Sequence, residues 1–407
     1  MLRAYPELRA FAASAALAGL AEGAFTVLLG VHVYARTHDL IALSWLGVAE
    51  AVPAIGLVLL GGHVADRAPR RLIAALTRGL LAVVAALLAV GAAWDTLTPI
   101  YLLAALAGAV RAFEDPSTAG LEAEILPAEN ATRAVSLIAA YARVSGLAGP
   151  IAGGFAYEAA GPVPAFAAVA VILFLSAAVL MIGIAARSAP RRARAPILPA
   201  IVEGLRYVFS SQVIAGSMAL DLFAVFFGGA AGLFPAYAED ILMVGPGGVG
   251  LLRAATAAGA LTAMIVATRH PPRAHSGLWL HGAVAGFGFG IIVFALSRDL
   301  VLSLAALFVV GACDGVSVVI RRAIVRMAAP DGLRGRVASV RGLFLSGANE
   351  LGAAESGFAA ALIGLVPAVW SGGMLTIVIA GVTAWRAPLL RRLDLRELER
   401  LRTREIR

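Results

Sequence analysis

The 407-residue chain is 60% hydrophobic and only 14% charged, with a mean hydropathy of +0.89 and a formal net charge of +8; an average soluble domain is about 45–50% apolar and about 25% charged. So much apolar surface does not fit inside one water-soluble core, which excludes an ordinary soluble enzyme and points to repeated membrane spans. All 33 basic residues are Arg, so neither a phosphate-cradling loop ending in Gly-Lys-Ser/Thr nor a Lys Schiff base exists here.

The first apolar run, residues 8–34, is too long for the core of a secretory signal and reads as the first span. Eleven more follow, at 41–62, 72–94, 99–121, 131–158, 163–185, 211–238, 247–268, 275–297, 300–322, 335–362 and 367–387. Alternate loops hold Arg67, Arg70 and Arg71, then Arg187, Arg191, Arg192 and Arg194, then Arg269 and Arg273, then Arg334 and Arg336; the other set holds little basic beyond Arg36 and Arg298 and has Asp39, Asp95, Glu239, Asp240 and Asp299. The positive-inside rule therefore places both termini and the linker in the cytoplasm of a bacterial inner membrane. Because the Arg residues lie in short inter-span segments, the positive charge is a topology signal and not a nucleic-acid surface. The six His residues show no ligand spacing, so no metal site is expected, and Cys313, the single cysteine, forms no internal disulfide.

A shift of 203 residues, the separation of Pro127 from Pro330, superposes the two halves without gaps. It matches Gly56 with Gly259, Pro69 with Pro272, Arg70 with Arg273, Gly108 with Gly311, Arg133 with Arg336, Gly149 with Gly352 and Pro164 with Pro367. Two parallel repeats joined by a linker form the plan of transporters that rock one half against the other. The expected organisation is a six-helix bundle (1–186), a cytoplasmic linker (187–210), a second six-helix bundle (211–388) and a basic amphipathic cytoplasmic tail (389–407) that suits either a helix on an anionic membrane surface or a merely solvated one.

Between the second and third runs stands Gly62-His63-Val64-Ala65-Asp66-Arg67-Ala68-Pro69-Arg70-Arg71. It resembles the G-x-x-x-D-R-x-G-R-R signature of the major facilitator superfamily, departing once at Pro69. In that family the arrangement latches the cytoplasmic side, and Asp66 is suited to accept hydrogen bonds from Arg or from free backbone N–H groups. The second half has Ile265 and Arg269 at the positions of Gly62 and Asp66, so the latch is expected on one side only. On the fifth run, Gly149-Pro150-Ile151-Ala152-Gly153-Gly154 resembles the core of the signature of proton-coupled exporters, with Ser136 and Ser145 where two upstream Gly are expected; small residues there bring helices together and Pro150 bends the helix. Further stretches, Asp115-Pro116-Ser117, Glu203-Gly204-Leu205-Arg206-Tyr207, Leu333-Arg334-Gly335-Arg336-Val337, Asn349-Glu350-Leu351-Gly352 and Glu355-Ser356-Gly357, are similar to the branch containing the enterobactin exporter and drug–proton antiporters.

A charge at a helix centre costs about 2.5–3.5 kcal/mol on insertion scales, so such residues are functional candidates. They are Glu22, Glu50, Arg111, Glu114, Asp115, Arg143, Asp221, Arg253, Asp314, Glu350 and Glu355. Glu22 and Asp221 sit on equivalent faces of the first and seventh runs, where a desolvated carboxylate can exchange a proton; Arg111 mates with Asp314, and Glu50 with Arg253, as charge-inverted pairs. Arg111 and Asp314 are expected to face one another across the cavity, the alternative being that Arg111 pairs with Glu114 or Asp115. The resemblance implies an all-α membrane protein with twelve transmembrane helices in two pseudo-symmetric bundles. It would export a small amphiphilic molecule, of drug or siderophore class, by alternating access in exchange for protons, as a monomer driven by the proton gradient, without cofactor or catalytic residues. A lipid or lysolipid flippase on the same fold, or a transport-dead scaffold or sensor, are the rival readings.

Overall fold

The structure, a computed structural model, describes residues 5–126, 131–187, 197–328 and 334–397, without the side chains of 131–133, 136, 197–201 and most of 334–350. The expected basic stretch Arg191, Arg192 and Arg194, the side chain of Glu350 and the tail beyond Glu397 lie outside the described residues. Every regular element described is helical: α1 (Pro6–Thr37), α2 (Leu40–Arg67), α3 (Arg70–Val90), α4 (Thr98–Ile125), α5 (Ala131–Ala160), α6 (Pro162–Gly183), α7 (Ile197–Ser210), α8 (Gln212–Gly228), α9 (Phe234–Ala236), α10 (Gly245–Arg269), α11 (Ser276–Leu296), α12 (Leu300–Ala328), α13 (Arg334–Ile363), α14 (Leu365–Arg386) and α15 (Pro388–Arg391).

Local chemistry sets several of these ends. Pro stands in the first turn of α1, α4 and α6, where no backbone donor is needed. The Asp39 carboxylate accepts from Ile41 N at 2.8 Å to cap α2. Gly161 and Gly364, with φ of +80° and +94°, make the sharp entries to α6 and α14. These two glycines are 203 residues apart, and the same shift carries α5 onto α13 and α6 onto α14 end to end. The repeat read from the sequence is thus a repeat of backbone conformation.

Nine of the described helical segments are long and apolar enough to cross a membrane. Of the other three long helices, α4 carries Arg111, Glu114, Asp115, Glu122 and Glu124, and α13 contributes the shorter apolar stretch Leu351–Ile363. The seventh run, expected as one helix over 211–238, is broken: α8 ends at Gly228, a 3-10 turn spans Ala230–Leu233, and a π-helical turn spans Tyr237–Ile241. Gly228, Gly229 and Gly232 followed by Pro235 weaken the hydrogen-bond ladder there.

The chain divides into two compact units. One comprises Met1–Ala193 with Phe234–Ala254, the other Arg194–Leu233 with Ala255–Arg407. In the first unit α2 packs on α4, α1 on α5 and α6, and α3 on α4 and α6, around a core that includes Leu8, Phe11, Ala74, Leu121 and Leu180. In the second, α8 packs on α13 and α14, and α11 on α12 and α14; its core includes Ile214, Leu280, Ile320, Ile324 and Leu390. The linker segment contributes α7, whose Val208 is buried in that second core and whose Tyr207 hydroxyl donates to Ala328 O at 2.9 Å.

Candidate functional site: charged groups inside the two units

The most deeply buried cation of the first unit is Arg78 on α3, only 2% exposed. Its Nε donates to Glu114 Oε1 on α4 at 2.9 Å, and its Nη1 donates to Ser176 Oγ on α6 at 3.1 Å and to Ser14 Oγ on α1. The two Ser hydroxyls lie 2.9 Å apart and each donates to the other residue's carbonyl. One guanidinium so ties four helices together, which meets the requirement that a buried charge be paired and hydrogen-bonded. The second carboxylate oxygen of Glu114 is buried with no partner among the described residues.

Beside it, Arg111 Nη1 donates to Glu50 Oε1 on α2 at 2.9 Å, and its guanidinium lies 5.6 Å over the Phe25 ring. Glu22, half-buried on α1, interacts electrostatically with Glu114, Arg111, Arg78 and Asp115. Asp115 is exposed, as is Arg143 on α5. Four carboxylates and two guanidinium groups therefore occupy one region of the first unit.

In the second unit Arg321 on α12, 3% exposed, places Nη1 2.8 Å from Asp221 Oδ1 on α8 and Nη2 3.6 Å from Asp314 Oδ1 on its own helix. Asp221 is buried, whereas the Asp314 side chain is 40% exposed. Within its own unit Arg111 pairs with Glu50 and also interacts electrostatically with Glu114 and Asp115, and within the other unit Asp314 lies 3.6 Å from Arg321. Glu355 on α13 and Arg253 on α10 are half-buried.

At the α2–α3 turn, Asp66 stands 3.7 Å from Arg70. Arg70 also reaches Glu124 at 3.1 Å, Gly120 O at 2.9 Å and Ala65 O at 3.3 Å, and Arg71 donates to Ile184 O. Arg67 lies against His63 one turn back. Arg70 thus joins α2, α3 and the end of α4, over Gly120, where a Cβ would fall 2.6 Å from Arg70 Cδ. At Gly62 a Cβ would meet nothing within 4 Å; the glycine that packing demands is Gly61, against Ala112 of α4.

The α5 glycines have a packing account on both flanks. Gly149 and Gly153 lie against Leu20 and Ala24 of α1, and a Cβ at Gly23 would fall 2.7 Å from Pro150 Cδ. On the other flank Gly154 meets Pro246, and Gly250 meets Pro150. Nearby, Glu158 Oε2 accepts from Gly247 N at 2.9 Å at the start of α10, and Tyr34 donates to Asp240. These contacts hold Phe234–Ala254 in the first unit.

Two ion-paired clusters inside apolar helices, on a twofold sequence repeat, define a membrane protein of the secondary-transporter class. The chain belongs to the Major Facilitator Superfamily, which matches residues 11–353, and it is a transporter and not an enzyme. It is 28% identical over 404 residues to the multidrug efflux pump Tap of Mycolicibacterium fortuitum, covering 94% of this chain and 96% of Tap. It is 23% identical over 341 residues to the enterobactin exporter EntS of Shigella boydii serotype 4 (strain Sb227), covering 83% and 81%. Among solved structures, the fold matches a bacterial homolog of the human lysosomal transporter Spinster with a TM-score of 0.72 at 15% identity, covering 96% of this chain and 97% of that one. It also matches a POT family transporter in complex with 5-aminolevulinic acid with a TM-score of 0.76 at 10% identity, covering 94% and 96%.

Sequence reasoning missed both buried arginines. Arg78 was visible as a lone charge in the third apolar run. Arg321 stands one residue before the end of the tenth run, 300–322, whereas α12 continues to Ala328 and buries it.

Proposed function

We propose that this chain is a proton-coupled exporter of a small amphiphilic organic molecule, of drug or siderophore class, working by alternating access as a monomer in a bacterial inner membrane with both termini cytoplasmic. The observation that carries the reading is the charge balance of the first unit: Glu22, Glu50, Glu114 and Asp115 against Arg78 and Arg111. Two carboxylates there exceed their counter-ions, and an ionised group in so apolar a setting is costly enough to favour proton uptake. Asp221 supplies a second candidate in the other unit. The relatives named for multidrug efflux and enterobactin export support outward transport. In proteoliposomes, Glu22→Gln and Asp221→Asn should each abolish efflux driven by a pH gradient while substrate binding persists. Undiminished pH-driven efflux by both variants would remove the proton assignment.

A second reading, movement of a lipid or lysolipid, is favoured by a cavity of about 650 Å³ in the second unit, lined by Leu278, Trp279, Phe308, Val309, Cys313 and Val316. Its exposed walls suit an acyl chain. Transfer of a fluorescent lysolipid across vesicles holding the protein distinguishes it from drug export.

A further inference from the structure

The core of the second unit takes Leu280 and Val284 from α11 and Ile320 and Ile324 from α12. The cavity of about 650 Å³ lies outside that core, along His275, Trp279 and Gly282 of α11 and Phe308, Cys313 and Val316 of α12. Trp279, Gly282 and Phe308 are exposed, so the cavity is a groove in the outer wall of the helix pair. From His275 to Ala283 its α11 wall is about 12 Å long at the helical rise, which carries it from the α10–α11 loop into the apolar span. Packing accounts for neighbouring glycines of α11: a Cβ at Gly286 would fall 2.9 Å from Cys313 Sγ, and one at Gly290 would fall 2.7 Å from Val310 Cγ2. At Gly282 it would meet nothing within 4 Å. A helical Gly costs stability, and what this one supplies is the depth of the groove.

Charge marks one end of the groove. The loop Arg269-His270-Pro271-Pro272-Arg273-Ala274-His275 holds two Arg and two His and no acid. Arg269, Arg273 and His275 are exposed, and one carboxylate, that of Asp394, touches the loop by accepting from His275 N at 3.3 Å. Trp279 stands one turn inward, a position suited to the membrane interface where indole rings collect. An apolar groove in a membrane span favours an acyl chain over water, and basic groups at the end of such a groove favour an anionic headgroup. The first unit does not repeat the arrangement. Gly79 matches Gly282, but Asp66, Leu72, Leu76 and Ala105 stand where the second unit has Arg269, His275, Trp279 and Phe308.

We infer that this groove is the resident site of an anionic phospholipid. Its acyl chain lies along Trp279, Gly282 and Phe308, and its phosphate rests against Arg269, Arg273 and His275, in the leaflet that the α10–α11 loop faces. The lipid is held by the transporter and is not its cargo, so the inference stands apart from both proton coupling and lysolipid movement.

Fluorescence of the purified full chain in phosphatidylcholine vesicles tests it. The vesicles carry equal amounts of either phosphatidylglycerol or phosphatidylcholine with brominated acyl chains, and quenching of Trp279 is read as the difference between wild type and W279F. An arginine near an anionic lipid surface favours it roughly fivefold, so phosphatidylglycerol should be preferred at Trp279 by at least about fivefold. R269Q/R273Q/H275Q should lose that preference. G282L alters no charge but fills the groove, and it should lose most of the preference too. Should the triple variant not fold, R269E serves; should G282L not fold, F308A serves by removing one wall; each should lose at least half of the preference. Equal quenching by the two lipids in the wild-type chain would overturn the inference. A preference untouched by the loop substitutions would overturn it, and one untouched by G282L or F308A would mean a basic surface without a groove site and overturn it as well. Loss of fluorescent lysolipid transfer in G282L, with transfer intact in W279F, would make the occupant a cargo and overturn the resident assignment.

Discussion

The two units repeat the same helices but solve the burial of charge differently. In the first, a guanidinium on α3 meets a carboxylate on α4 and two serines, a closed set in which every strong Arg78 contact is internal. In the second, the residue equivalent to Arg78 is His281, whose Nδ1 contacts Gly277 O at 2.7 Å, and the residue equivalent to Glu114 is Ser317. The buried cation has moved to α12 and is shared between Asp221 on α8 and the more open Asp314. A backbone repeat therefore does not carry a repeat of electrostatics. The first unit holds a fixed brace next to its surplus carboxylates, and the second holds a cation with two places to go.

That contrast is broken most severely by removing the brace. Arg78→Met strands the buried Glu114 carboxylate and should destabilise the chain by about 3–5 kcal/mol, whereas His281→Leu at the equivalent site forfeits one hydrogen bond, about 1 kcal/mol. Adding Glu114→Leu to Arg78→Met should recover part of the loss. Thermal unfolding of detergent-purified variants followed by intrinsic fluorescence measures all three, and equal losses at positions 78 and 281 would erase the distinction between the units.

Next in size is the glycine pair Gly56 and Gly259. A Cβ at Gly259 would collide with Phe308 O and lie 2.8 Å from Ala312 N, but at Gly56 it would meet nothing within 4 Å. Gly259→Ala should therefore cost about 1–3 kcal/mol through overpacking, while Gly56→Ala should gain up to about 1 kcal/mol from helix propensity. Opposite signs in the same unfolding assay are expected. Like signs would mean that the α2–α4 and α10–α12 contacts are alike after all.

These particulars show which part of the molecule its sequence discloses. Run length, loop charge and the shift of 203 residues made the helices and their repeat legible, because membrane burial imposes length and backbone constraints that act locally. The α2–α3 turn was legible as well, since Asp66, Arg70 and Arg71 stand close together in the chain. Pairings between helices were not: Glu50 with Arg111, Arg78 with Glu114 and Asp221 with Arg321 depend on rotation of each helix about its axis, which nothing short-range fixes. The grouping of Phe234–Ala254 with the first unit was hidden for the same reason, resting on glycine contacts such as Gly154 with Pro246 that appear only once α5 and α10 cross.

The smallest expected effect lies at the end of the described chain and sharpens the comparison from outside the membrane. The first unit ties its entry helix to its last one through Glu7, whose carboxylate accepts from Ala185 N at 2.9 Å and pairs with Arg187 at 2.6 Å. The second ties its C-terminal segment to α11 mainly by backbone, Gly277 N to Leu393 O at 3.0 Å and Leu395 N to Arg273 O at 3.1 Å. There Asp394 accepts from Arg396 N at 2.9 Å and from His275 N at 3.3 Å. The Arg396 amide first, and then that of His275, hold the Asp394 carboxyl below its ordinary range. A carboxyl depressed in the folded state stabilises above its unfolded value, about 3.9, and loses that contribution as pH falls through the folded value. Asp394→Asn should therefore lower the unfolding temperature slightly at pH 7, with the gap from wild type closing as pH falls below about 4. Because the group reaches solvent, salt should shrink the gap too. A gap that persists unchanged into acid would show that the carboxylate's charge contributes nothing to this tie, leaving the backbone bonds of Leu393 and Leu395 to hold it.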